Sequence, residues 1–138
     1  MRFHQAEAEI RTSGPGLTEV TGLVERELAK SGLSSGLATV FCPHTSCSLV
    51  LMANASPEAR SDLQSWLERL VPPEKGFAHD LEGPDDMPAH IKMALTRSSE
   101  NVPFHERRLL LGTWQGVYLW EHRRSPHRRT LRLAFLGA

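Results

Sequence analysis

The order in which two hydrophobic periods occur along the chain constrains its fold more than any other feature. Apolar residues alternating with polar ones, or short apolar runs, mark strands; apolar residues three and four apart mark helices. Ala6, Ala8 and Ile10 alternate with Glu7, Glu9 and Arg11, predicting a half-exposed strand, and Ser13-Gly14-Pro15-Gly16 predicts a turn. Thr21 is placed to cap a helix running to Ser31, with Val24 and Leu28 one turn apart and Gly32 as its stop. Strands are predicted over Leu37 to Cys42 and Ser48 to Met52, on either side of Pro43-His44-Thr45-Ser46. Ser56-Pro57-Glu58 then starts a second helix, with Ala59, Leu63, Trp66 and Leu70 as its buried stripe and Pro72-Pro73 as its end.

Residues 72–87 read as a loop, followed by a short helix from Pro88 to Leu95 with Ile91 and Leu95 on one face. Strands are predicted over Leu109 to Trp114, Val117 to Trp120 and Thr130 to Leu136, with Gly112 and Gly116 at bends or bulges. Helices therefore fall between and beside strands without regular alternation. That order predicts an α+β fold, a single compact domain with a largely antiparallel sheet and flanking helices, over a doubly wound parallel sheet.

At 138 residues and 40% apolar content, the chain can bury a real core without disulfides or a structural metal. No apolar run approaches the roughly 20 residues of a membrane span. The first residues hold no signal-like stretch, so the expected location is cytoplasmic. The two cysteines, Cys42 and Cys47, are expected as buried reduced thiols, since a C-x4-C pair alone does not complete a zinc site.

The net charge is zero, but its two signs are unevenly distributed. Residues 1–106 carry nine basic and fifteen acidic side chains, while residues 107–138 carry seven arginines and only Glu121 as an acid. Such asymmetry fits either a nucleic-acid surface or attraction between subunits. Arg123, Arg124, Arg128 and Arg129 lack the interleaved aromatics of a single-strand platform, so they read as a solvated hairpin tip and nucleic acid is not expected as a partner. Glu121 reads as an ion-pair partner at a subunit interface.

Three histidines stand where function usually resides, in loops and at element ends: His44, His79 and His90. Near them in sequence are Thr45, Ser46, Asp62, Asp80, Asp85 and Asp86. Imidazoles and carboxylates ligate divalent metals or move protons near neutral pH. His44-Thr45-Ser46 also offers hydroxyls and backbone N–H groups to phosphate oxygens. HExxH, GxSxG, Walker and GxGxxG patterns are all absent.

The blocks Phe41-Cys42-Pro43-His44-Thr45-Ser46, Asn54 with Asp62, His79-Asp80, Gly83 to Lys92, Leu111 to Gly116, and Glu121 occur in a recognisable order and spacing. In them the chain resembles the YjbQ family, the secondary thiamine-phosphate synthases, over nearly its whole length. The resemblance implies an α+β subunit assembled as a homotrimer. It also implies a weak ability to join a phosphorylated thiazole to a pyrimidine diphosphate, releasing pyrophosphate. On that reading His44, Asp62, His79 and His90 are the catalytic candidates. Thr45, Ser46, Asn54, Lys92, Trp114 and Gln115 are candidates for holding the small phosphorylated metabolite. His44, His79 and His90 are candidate ligands for a divalent metal, zinc or magnesium. Asp62 is expected to orient one imidazole, and Trp114 reads first as a core indole, second as a flat wall for a ring.

One departure bears on activity. Where the family usually reads Asn-Glu-Asn followed by Asp-Pro, this chain has Met52-Ala53-Asn54 and Ser56-Pro57, so two carboxylates are absent. That leaves two other readings of the same histidines: a metal-dependent hydrolase or phosphate-handling enzyme, and a non-catalytic trimeric module binding a phosphorylated metabolite.

Overall fold

Two antiparallel sheets and three helices build the protein in a computed structural model that describes residues 1–73 and 76–138. The chain runs β1 (Arg2–Thr12), β2 (Gly16–Glu19), α1 (Thr21–Ser31), β3 (Gly36–Phe41), β4 (Cys47–Ala53) and α2 (Pro57–Leu70). It continues through α3 (Asp86–Leu95), β5 (Ser99–His105), β6 (Arg108–Leu109), β7 (Gln115–Glu121) and β8 (His127–Gly137). One sheet has the order β1-β8-β3-β5-β6 and the other β2-β7-β4, all neighbours antiparallel. This is the expected α+β architecture. None of the described helices is long and apolar enough to cross a membrane.

The main core lies between the two sheets, where Leu131, Leu133 and Phe135 of β8 join Ala38 and Val40 of β3, Leu49 of β4, and Val117 and Leu119 of β7. Val24 and Leu28 of α1 close one side of it. Trp120 points to the other face of the smaller sheet, where Leu67 and Val71 cover it. β7 is therefore buried on both faces, which is why Val117 to Trp120 reads as an unbroken apolar run. β3 and β8 approach closely at Gly36 and Gly137: a Cβ at Gly36 would lie 2.0 Å from the Leu136 carbonyl oxygen.

Several local expectations are corrected. The first strand spans Arg2–Thr12, and Gly16–Glu19 is a strand, not only the end of a turn. α1 has Val20 at its N-cap; the Thr21 hydroxyl instead donates to Glu19 and accepts from Val117 N–H. Ser56 caps α2 as expected, accepting from Ala59 N–H at 3.3 Å. The buried stripe of α2 does not hold: Leu67 is buried, whereas Trp66 and Leu70 are more than half exposed. β5 (Ser99–His105) falls outside the expected strands, because Pro103 interrupts Val102 and Phe104, its two buried apolar residues. After β6 the chain leaves the sheet, so Leu110 to Trp114 is not a strand, and Gly116 sits within regular β7 pairing, not at a bulge. Of the expected 72–87 loop, residues 74 and 75 lie outside the described residues and Asp86 already belongs to α3.

Candidate metal centre

α3 begins two residues earlier than the sequence suggests, and this builds the site. Pro88 occupies its first turn, where a proline costs no hydrogen bond because the first N–H groups have no helical partner. Starting at Asp86 places Asp86 and His90 four residues apart, hence on one helix face. The preceding loop carries His79 to the same point. One donor atom from each of His79, Asp86 and His90 lies within 4.8 Å of the others.

The polarity of these contacts is informative. His90 Nδ1 is 2.6 Å from the Thr45 carbonyl oxygen, which can only accept, so Nδ1 carries the proton. The other nitrogen, Nε2, lies 3.1 Å from Asp86 Oδ2, and in a neutral ring it would present a lone pair to that oxygen. Two lone pairs that close repel unless a cation or a proton stands between them. His79 Nε2 approaches the same oxygen at 2.7 Å. Metal bonds near 2.0–2.1 Å would place neighbouring donors about 3.0–3.4 Å apart, close to this spacing.

Asp86 is oriented from behind. Its other oxygen, Oδ1, accepts from Arg123 Nη1 at 2.7 Å. Arg123 Nε donates to Asp85 Oδ2 at 3.0 Å and Nη2 to the Glu82 carbonyl at 2.8 Å. Burial opposes the charge of Asp85, but hydrogen bonds from Arg124 N–H and the Arg123 guanidinium outweigh it and hold its carboxyl below the ordinary value. Arg123 was read as part of a solvated hairpin tip; it is an ion-pair hub. Beside the cluster, Phe77, His79, Asp80, Pro84 and Met87 line an open cleft of about 320 Å³. That is the lower end of ordinary small-molecule sites, lined by both apolar and polar side chains.

His44 adjoins the cluster through Thr45, whose carbonyl holds His90, but its ring turns toward β8. There Nε2 accepts from Thr130 N–H at 2.9 Å, which consumes the lone pair a metal would need. Burial first, then the Arg129 guanidinium, holds the His44 pKa below its usual value. Within one chain Asp86 therefore takes the place expected of His44. Thr45 contributes its carbonyl to His90; Ser46 is buried, its hydroxyl accepting from Arg129 Nη2 at 2.9 Å.

Lys92 is buried and paired with Glu68 at 2.8 Å, so its charge is already answered. Asp62 lies on the exposed face of α2, with no hydrogen bond to any imidazole among the described residues. Asn54, Trp114 and Gln115 gather at the far end of the smaller sheet. Asn54 N–H donates to the Trp114 carbonyl at 3.0 Å and its amide to the Gln115 carbonyl at 3.2 Å. Trp114 is 69% exposed, not a core indole. Gln115 and Glu121 are the two ends of β7, about 20 Å apart at strand rise. One chain thus does not bring this trio to the histidines.

Glu121 faces inward. It is 1% exposed and accepts from Arg129 Nε at 2.7 Å, from Thr12 Oγ1 at 2.6 Å, and from the N–H groups of His122 and Arg123 at 3.1 Å. Burial opposes its charge, and these donors outweigh burial, holding the carboxyl below its ordinary value. Glu121 therefore has its ion-pair partner within its own chain. Sequence reasoning missed Asp86 as a ligand; the signal was its four-residue spacing to His90, hidden by starting the helix at Pro88.

Comparison with known proteins agrees over nearly the whole chain. The profile of the family described as "UPF0047 protein YjbQ-like" matches residues 6–138. The UPF0047 protein sll1880 of Synechocystis is 46% identical over 129 residues, covering 93% of this chain and 88% of that protein. YjbQ of Escherichia coli O157:H7 is 37% identical over 122 residues, covering 88% of each. Among solved structures, a YjbQ/UPF0047 family protein of Clostridium acetobutylicum superposes with a TM-score of 0.87 at 33% identity, covering 95% of this chain and 99% of its own.

Proposed function

The chain belongs to the YjbQ-like UPF0047 family, and from that premise we propose that it is a metal-dependent enzyme acting on a small phosphorylated metabolite. His79, Asp86 and His90 hold a divalent cation, zinc or magnesium. The observation that carries this reading is the convergence of one donor atom from each of His79, Asp86 and His90 within 4.8 Å, with His90 Nδ1 committed to the Thr45 carbonyl and Nε2 facing Asp86 Oδ2 at 3.1 Å. A cation held there would satisfy Nε2 and Oδ2 together. It would also supply charge stabilisation to phosphate oxygens as a leaving group departs.

The reaction proposed is the one the resemblance implies: displacement of pyrophosphate from a pyrimidine diphosphate by a phosphorylated thiazole, giving thiamine phosphate. The chain's own groups support parts of it. Arg123 anchors Asp86 Oδ1 and leaves Oδ2 aimed at the histidines, and Phe77, Pro84 and Met87 offer apolar walls to a heterocycle. With Ala53 and Ser56 in place of acids, turnover is expected to be slow. The protein is further proposed to act as a homotrimer, with interfaces on the order of 1,600 Å² or more per pair. Such an assembly would give the exposed Trp114, Asn54 and Gln115 a route to a neighbour's histidines. A second reading, hydrolysis on the same cation, is favoured by the exposure of His79, whose side chain is 51% accessible to water.

The test is to incubate protein, stripped of metal and then reloaded with zinc or magnesium, with both substrates. Thiamine phosphate above a protein-free blank, lost on chelation, is the expected result. Phosphate release without coupling would favour the hydrolase. Binding of the phosphorylated thiazole without any product would leave a binding module. Light scattering is expected to give three times the chain mass at micromolar concentration; a monomer would refute the trimer.

A further inference from the structure

Cys42 ends β3 and Cys47 begins β4, and between them lies the loop Pro43-His44-Thr45-Ser46. Both cysteines are buried and free, 1% and 0% exposed, and they belong to the main core. As inert core residues they would need only to fill space. Their sulfurs, however, face one another at 3.2 Å. Arg129, ion-paired with Glu121, donates to the carbonyl and hydroxyl of Ser46 beside Cys47.

From this geometry we infer that Cys42 and Cys47 are a reversible oxidation site, a dithiol that a peroxide converts to an intramolecular disulfide. The two sulfurs divide the work. The Cys42 thiol is held below its ordinary pKa by its hydrogen bond with Cys47, helped by the His44 backbone and Arg129, although burial opposes this. The Cys47 thiol is pushed up by the same hydrogen bond and by burial. Cys42, flanked by the exposed Phe41 and Pro43, is the attacking thiolate, and Cys47, flanked by the buried Ser46 and Ser48, is the resolving thiol.

The Cys42 thiolate attacks one peroxide oxygen and the O–O bond breaks, giving a sulfenic acid and hydroxide, which takes up a proton to become water. Cys47 then attacks the sulfenic sulfur; the S–S bond forms, the S–O bond breaks, and the departing hydroxyl leaves with the Cys47 proton as a second water. Each sulfur loses one electron and the peroxide gains two. Access requires only a brief opening of a four-residue loop whose Pro43 and Thr45 are already exposed.

Closing the bond draws the sulfurs from 3.2 Å to about 2.05 Å and so tightens the loop from both ends. That loop carries the Thr45 carbonyl that holds the His90 proton, along with the His44 and Ser46 contacts to β8. Oxidation is thus coupled to the orientation of His90. This second part rests on the metal reading proposed above.

The experiment treats native reduced protein with hydrogen peroxide, quenches with catalase, and measures intact mass and alkylation after denaturation. Loss of two hydrogens, protection of both cysteines from alkylation, and recovery with dithiothreitol are expected. Cys47→Ser should stop at a sulfenic acid on Cys42, trapped by dimedone. The inference is overturned if native thiols stay alkylatable while urea-unfolded protein forms the disulfide, or if oxidation yields only disulfide-linked dimers. Both readouts use wild type, so the outcome does not depend on the variant folding. Zinc should bind the oxidised form about tenfold more weakly, the scale of losing a group that orients a ligand. Equal affinities would overturn the coupling. Zinc uptake by neither form would instead refute the metal reading, with the disulfide still decided by mass.

Discussion

Two carboxylates stand at the two ends of Arg123, and they have opposite fates. Glu121 accepts the Arg123 backbone N–H, and Asp86 accepts its guanidinium. Around Glu121 both oxygens are saturated by Arg129, Thr12 and backbone donors, and water is excluded. Around Asp86 only one oxygen is saturated; the other meets two imidazoles, one of them half exposed. A closed network holds two sheets together, whereas an open one keeps a lone pair for a ligand. Residue type does not separate a structural carboxylate from a functional one. What separates them is how many of their lone pairs the protein itself uses.

Glu121→Ala should produce the largest effect. It leaves Arg129 buried without its partner, and the expected loss is about 3–5 kcal/mol of folding stability, read by urea denaturation. A loss under about 1 kcal/mol would show that Glu121 is as dispensable as a surface pair.

His90→Ala should show the converse pattern. On the proposed activity, thiamine-phosphate formation is expected to fall by at least roughly 10²-fold with little change in thermal stability, since a partly exposed histidine on α3 makes few core contacts. Wild-type turnover in this variant would remove His90 from the site. Arg123→Gln probes the joint between the two regions. Zinc affinity, measured by competition with a chelator, should drop about 10–100-fold as Asp86 loses its anchor, while the fold persists through Glu121 and Arg129. A variant that binds zinc unchanged would show that Asp86 is held by its helix alone.

A pH-graded effect concerns His122, buried beside this network with Nε2 2.9 Å from Ser48 Oγ. Burial first, and Lys92 second, lowers its pKa to about 3. Unfolded, the same group titrates near 6.5. Below that pH the unfolded chain binds a proton that the folded chain refuses. The His122 contribution to stability is therefore complete above about pH 6.5 and declines as pH falls toward 3. The limiting slope is about 1.4 kcal/mol per pH unit. Denaturation midpoints between pH 4 and 7, compared with His122→Leu, should isolate that slope; parallel curves would mean that His122 does not titrate on unfolding.

The sequence by itself determined the fold class and most of its elements, because periodicity and capping are local properties. Ser56-Pro57 starts α2, Gly32 stops α1 with φ 72°, and Val117 to Trp120 reads as a strand, all from neighbouring residues. It failed at β5 and β6 for an equally local reason. Pro103 disguises β5, and the turn before β6 uses Glu106 and Arg107 at positive φ, where glycine or asparagine would have announced a hairpin.

At the candidate site, residue types and spacing singled out His79 and His90 but could not tell a ligand from a strut. Tertiary structure decided that His44 spends its lone pair on Thr130, that Lys92 is neutralised by Glu68, and that Asp86 is the carboxylate facing the histidines. Each outcome depends on which donor lies across a gap closed by strands and loops remote in sequence. Hydrogen bonds and ion pairs act only over about 3–4 Å, and contacts of that range between distant segments exist only once the sheets have paired.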